Sequence, residues 1–135
     1  MQKTKKKGFH KAINSQETAP KRKHVRQIVL ETWKTGGTSA FFQHILKEPI
    51  ETNGIVAFKT LHVIHKILHE GPARAITDCS VHLDLFSRLA SVWSRKEERG
   101  YGRLVMSYAL FLREKVCFHV DGGNLYTGGV SIAEF

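Results

Sequence analysis

Apolar residues recur along most of this 135-residue chain at spacings of three and four, the period of an α-helix that buries one face. Over residues 3–14 the pattern predicts a short basic helix with Phe9, Ala12 and Ile13 on one side, weakened by Gly8. Pro20, suited to a first helical position, precedes a stripe of Val25, Ile28, Val29, Thr32 and Trp33 that ends at Gly36-Gly37. Thr38 or Ser39 then caps a short helix carrying Phe41, Phe42, Ile45 and Leu46, closed by Pro49. Asn53 opens a longer helix over residues 54–70. Its apolar residues Val56, Ala57, Leu61, Ile64, Ile67 and Leu68 occupy more than one side, as expected of a central helix, and Gly71-Pro72 stops it. Residues 73–95 read as one broken helix or two short ones, with Ile76, Leu83, Leu85, Phe86, Leu89 and Trp93 inward. A last helix over 103–119 groups Leu104, Val105, Tyr108, Ala109, Leu112 and Val116, and residues 120–135, Gly-rich and aperiodic, read as a loop-like tail. These elements make one all-α domain over residues 1–135, a solenoid-like superhelical stack of about six helices that begins with a flexible basic segment, residues 1–10.

Charge adds what the pattern does not show. The formal net charge is +9, and residues 1–34 hold ten Lys and Arg against two Glu, a net of +8. One end of a nearly neutral protein is therefore an electrostatic landing surface for a polyanion or an anionic membrane. Cys79 and Cys117 stand far apart with no CxxC spacing, which fits a reduced cytoplasmic setting. Every apolar stretch is broken well short of the ~20 residues that span a bilayer, so membrane contact is expected to be peripheral.

The basic residues are oddly placed. Lys21, Arg22, Lys23 and His24 fall in the first turn of a helix, where positive charge opposes the macrodipole at a cost of ~0.3–1 kcal/mol each. A phosphate offsets that cost, because a helix N-terminus presents free N–H donors and added ammonium groups favour a multiply charged anion. At about 100° per residue these side chains point around the helix and converge only at its tip. A compact polyphosphate seated end-on there meets Lys21, Lys23 and His24, with Lys11 reaching in from the preceding helix and Arg26 one turn along the flank. Lys3, Lys5, Lys6, Lys7 and Arg22 add general attraction to an anionic bilayer, around 1 kcal/mol per residue near the surface. Met1 is the one apolar group in residues 1–8, too little for an inserted helix.

Lys11-Ala12-Ile13 followed by Pro20-Lys21-Arg22-Lys23-His24 resembles the phosphoinositide-binding signature of ANTH domains. Within that family, Glu17 to Arg26, Phe58-Lys59, His65-Lys66-Ile67-Leu68, Glu70-Gly71 and Gly100-Tyr101-Gly102 are most similar to the huntingtin-interacting-protein and fungal Sla branch, up to about Phe118-His119. The resemblance implies a right-handed superhelical fold of the ENTH/ANTH/VHS type. It implies recognition of phosphatidylinositol 4,5-bisphosphate by Lys11, Lys21, Lys23 and His24, with Arg26 as a fifth member, at the inner face of the plasma membrane. It also implies a place in clathrin-coated pits or actin patches, assembly with the ENTH domain of epsin, and links to clathrin and actin through regions this chain lacks, since ANTH domains are about twice its length.

Other chemistry finds little support. His62, His65 and His69 recur at helical spacing, but apart from Glu70 no Cys or carboxylate stands at a complementary offset, so no metal is expected. There is no GxxxxGK[ST], GxSxG or HExxH, so neither catalysis nor a cofactor is expected. Phe41, Phe42 and both Trp read as core rather than as base-stacking platforms. The basic helices alone leave phosphodiester binding as the alternative; with the resemblance, no nucleic-acid partner is expected.

Overall fold

The computed structural model describes residues 11–96 and 100–122, and these hold six helices and no strand. They are α1 (Arg22–Thr35), α2 (Ser39–Ile45), α3 (Gly54–Glu70), α4 (Arg74–Ser80), α5 (Leu83–Trp93) and α6 (Tyr101–Gly122). Lys11 and Ala12 are helical as well, and Ala12 and Ile13 are buried. Phe9, the four N-terminal lysines and residues 123–135 lie outside the described part.

α3 is the axis of the fold. Val56, Ala57, Leu61, Val63, Ile64, Ile67 and Leu68 are all buried, so it is apolar around most of its circumference and packs between α1 and α6. Asn53 caps it, its side-chain oxygen accepting from the Val56 N–H at 3.0 Å. The Trp33 indole N–H donates to the Glu70 carbonyl at 2.8 Å, joining the C-terminal ends of α1 and α3. Phe58 and His65 of α3 face Tyr108 of α6, and His65 also meets Phe111 one turn on. Thus α1, α3 and α6 run in the same direction, with α2 as one crossover and α4–α5 as the other. All three N-termini, the positive ends of their dipoles, face one end of the stack.

Several boundaries and faces differ from the pattern's reading. α1 starts at Arg22 with Lys21 as its N-cap, so Pro20 precedes the cap instead of occupying the first turn. Trp33 is 56% exposed: its ring lies over the surface and its N–H serves the Glu70 carbonyl, an amphipathic use that apolar periodicity does not distinguish from core. Leu46 falls at the C-cap of α2 and is exposed. Leu104 is exposed because the inward stripe of α6 is Val105, Ala109, Leu112 and Val116, leaving it 100° or more off the buried face; Tyr108 and Leu83 are only partly buried. The region 73–95 resolves into α4 and α5, and α6 continues through Val120 to Gly122, where a loop was expected. Gly36 closes α1 with φ 76°, a left-handed cap. Gly102 is needed for a close approach: a β-carbon there would overlap the Lys96 carbonyl and sit 2.9 Å from the Trp93 carbonyl oxygen.

Histidines on α3 and α6 are expected to make the fold acid-sensitive. His69 Nε2 lies 3.1 Å from His65 Nε2, and His65 Nδ1 lies 2.9 Å from the Tyr108 hydroxyl. Burial first, then the neighbouring His69, Lys115, His62 and Lys66, push His65 down to about 4. Burial and Lys115 also lower His69 and His119, while burial and Lys66 lower His62. Each folded-state value lies below the unfolded one, so the unfolded chain binds more protons. Stability is fully present above pH ~6.5 and is lost as pH falls toward 4. Thermal unfolding at pH 4.5 is expected ~5–10 °C below that at pH 7.5, and His65→Gln should flatten the dependence.

Candidate functional site

The tip of α1 is chemically bare. Lys21, its N-cap, has an extended backbone and makes no side-chain capping bond, and the first turn contains no acidic residue. The His24 N–H is taken by the Lys21 carbonyl at 3.0 Å, and no side chain of the N-cap or first turn caps the N–H groups of Arg22 and Lys23. Lys21, Arg22, Lys23 and Arg26 are exposed, His24 is half-buried, and Val25 turns into the core to anchor the turn.

Lys11 belongs to a different helical element, and the connection between them is tied down at two points. Asn14 Oδ1 accepts from the Gln16 N–H at 3.1 Å, folding the chain back on itself. Lys59, from α3 and only 4% exposed, donates through Nζ to Asn14 Oδ1 at 2.9 Å and to the Gln16 carbonyl at 2.6 Å. One residue on, the Tyr101 hydroxyl at the start of α6 donates to Glu17 Oε2 at 3.2 Å. The link from Lys11 to Lys21 is thus fastened to both helices that flank it.

The electrostatics of His24 report what this achieves. Its pKa is lowered, first by burial and then by the charges of Lys11, Lys23 and Lys21. Three ammonium groups from two separate helical elements act on one imidazole. Arg22 and Arg26 are exposed on α1. Lys11, Lys21 and Lys23 thus lie close enough to His24 to act on it, and Arg26 is exposed half a turn further along α1. A cluster of cations at a bare helix N-terminus is poised for an anion with several phosphates.

The sequence matches the ANTH domain family model over residues 6–127. The chain belongs to the ANTH domain family. It is 33% identical over 121 residues to huntingtin-interacting protein 1 of Homo sapiens, covering 87% of this chain and 12% of that protein. It is 32% identical over 129 residues to protein SLA2 of Saccharomyces cerevisiae, covering 96% of this chain and 13% of that one. The fold superposes with a TM-score of 0.85 and 31% identity on a chain in the solved structure of the ENTH domain from epsin-2 in complex with phosphatidylinositol 4,5-bisphosphate, covering 94% of this chain and 49% of that one. The chain therefore spans about an eighth of these curated relatives and half of the solved chain.

For this ANTH domain the fold is the all-α superhelical one of its structural neighbour. Lys59 and Tyr101, which shape the tip, escape a reading by periodicity. The signals available were the family-like Phe58-Lys59 and Gly100-Tyr101-Gly102 and a lysine among Val56, Ala57, Phe58 and Leu61. Elsewhere, among the described residues, no group of three or more His, Cys, Asp or Glu converges, and no helix is long and apolar enough to cross a membrane. Cys79 is buried and Cys117 half-buried, and both are free thiols.

Proposed function

We propose that this ANTH domain is a non-enzymatic membrane adaptor module that binds the headgroup of phosphatidylinositol 4,5-bisphosphate at the tip of α1. Lys11, Lys21 and Lys23 neutralise the two ring phosphates and His24 donates to one of them, while Arg26, Arg22 and the N-terminal lysines Lys3, Lys5, Lys6 and Lys7 supply general attraction to an anionic bilayer. The observation that carries this reading is the convergence of three lysines from two helical elements on His24, at a helix N-terminus that no acidic residue caps. The 4,5-bisphosphate lipid in the structural neighbour's complex supports the choice of ligand. The setting that follows is the inner face of the plasma membrane at sites of endocytosis, with an epsin ENTH domain as companion and with clathrin and actin reached through other regions of the longer relatives.

One weak site plus diffuse charge gives reversible recruitment, which a second contact converts into stable attachment. Co-sedimentation with vesicles carrying the 4,5-bisphosphate lipid, against vesicles with a bisphosphate isomer of equal charge, is expected to show preference for the former. Equal binding to both, falling steeply with salt and matched by duplex DNA, would instead indicate a general polyanion surface.

Proton linkage gives a further expectation. The free site holds the His24 pKa low, and a bound phosphate replaces like-charge repulsion with attraction and raises it. Binding then takes up a proton, so affinity should weaken as pH rises from about 6 to 8, by up to ~10-fold for one fully coupled group. His24→Gln should remove the slope, leaving only the phosphate's own titration near pH 6.

A further inference from the structure

The most deeply placed charge near the tip is Lys59. Its ammonium is buried beneath the 14–16 turn, and both its hydrogen-bond acceptors, Asn14 Oδ1 and the Gln16 carbonyl, are neutral. Among the described residues no carboxylate pairs with it, and its pKa is lowered by burial, with no acidic neighbour opposing the shift. A buried cation without a counter-ion is costly, and folds retain one where it fixes a geometry or awaits an opposite charge. The first condition is visible here. The turn that Lys59 fastens is the one that carries the chain from Lys11 to Lys21, and Asn14 Nδ2 reaches back toward the Lys11 carbonyl at 3.4 Å.

We propose that Lys59 is the positioning residue of the headgroup site: it fastens the 14–16 turn so that Lys11 stands over the α1 tip, and the bound phosphates supply from outside the negative charge it lacks inside. This rests on the headgroup reading above. Selectivity between isomers of equal charge requires cations at fixed separations, and a loosely tethered Lys11 would follow any phosphate. Tyr101, through Glu17, steadies the other side of the same connection.

The test is Lys59→Met, which keeps the unbranched stem to within one atom of its length and removes the charge and both hydrogen bonds. Binding is measured to vesicles containing 4,5-bisphosphate lipid, vesicles containing the 3,5-bisphosphate isomer, and vesicles of phosphatidylserine alone, together with calorimetry on soluble inositol 1,4,5-trisphosphate. With a helical, cooperatively melting variant, affinity for the 4,5-bisphosphate lipid should fall at least tenfold and selectivity over the isomer collapse toward one. Binding to phosphatidylserine should change less than twofold, a pattern that general destabilisation would not produce. Loss toward both the lipid and the soluble headgroup places the effect at the phosphates; loss toward the vesicle alone would overturn the proposal. Selectivity retained within twofold in folded Lys59→Met would overturn it too.

If Lys59→Met does not fold, Asn14→Ala removes one of the two acceptors at a half-buried position, and it should lower selectivity by about threefold or more. Unchanged selectivity in that variant would contradict the proposal. A wild-type chain that shows no isomer preference would defeat the headgroup reading itself, an outcome separable from the others.

Discussion

Replacing Lys21 and Lys23 together by glutamate is expected to make the protein more stable and to abolish its selective membrane binding. The two effects have one cause. Both residues lie at the positive end of the α1 dipole, where a cation costs and an anion gains ~0.3–1 kcal/mol, and no acidic residue of the first turn now relieves them. Reversal of both charges should therefore raise the melting temperature by a few degrees. In the proposed site each lysine also supplies a charge-assisted hydrogen bond to phosphate, worth about 1.5–3 kcal/mol. Loss of two, with repulsion added, should weaken binding to 4,5-bisphosphate vesicles by about 100-fold or more. Co-sedimentation and a thermal melt on the same preparation check both. A variant that melts lower, or that binds as wild type does, would contradict the claim that these charges are kept at a structural cost for a ligand.

The largest loss of stability is expected from Trp93→Ala. Trp93 is fully buried at the end of α5, and its indole N–H donates to the Ile50 carbonyl at 2.8 Å across 43 residues of sequence. Truncation removes the bulkiest buried side chain described, leaves a cavity, and strips the Ile50 carbonyl of its donor inside the core. Comparable aromatic truncations cost about 3–5 kcal/mol. Chemical unfolding should register that loss as a shift in midpoint with little change in slope. The same residue lies beneath the tight approach of α6 to the α5 end at Gly102, so the first hydrogen-bonded amides of α6, from Val105 to Tyr108, should be the first to lose protection.

The core was legible because its signal is local and repeated. Val25, Ile28 and Val29, or Leu85, Phe86 and Leu89, declare a buried face through spacing alone, and the structure buries all six. Trp33 and Leu104 misled at the margins of such stripes, where a shift of one position decides between core and surface and where an indole can lie flat while its N–H serves a carbonyl on another helix. The extension of α6 past His119 was hidden because glycine at 122 and 123 lowers helix propensity, while packing on α3, α4 and α5 is tertiary and holds the helix through Val120.

The proposed headgroup site divides in the same way. Lys21, Lys23 and His24 stand out in the sequence because they break a local rule about helix ends. Lys59 does not, because what makes it structural is a pair of oxygen atoms 43 and 45 residues upstream. A pattern that reads every lysine as solvated has no means of finding it.

In the proposed function, ligand recognition is confined to the tip of α1 and the turn that feeds it. Titration of a uniformly labelled sample with a short-chain 4,5-bisphosphate lipid, followed by amide and side-chain NMR shifts, tests it most directly. Saturable changes are expected at Lys11, Asn14, Gln16 and Lys21–Arg26, with the His24 imidazole moving toward its protonated form and the Lys59 ammonium shifting although it stays buried. Changes spread evenly over exposed basic residues such as Lys34, Lys47 and Arg103, with His24 unmoved, would contradict it.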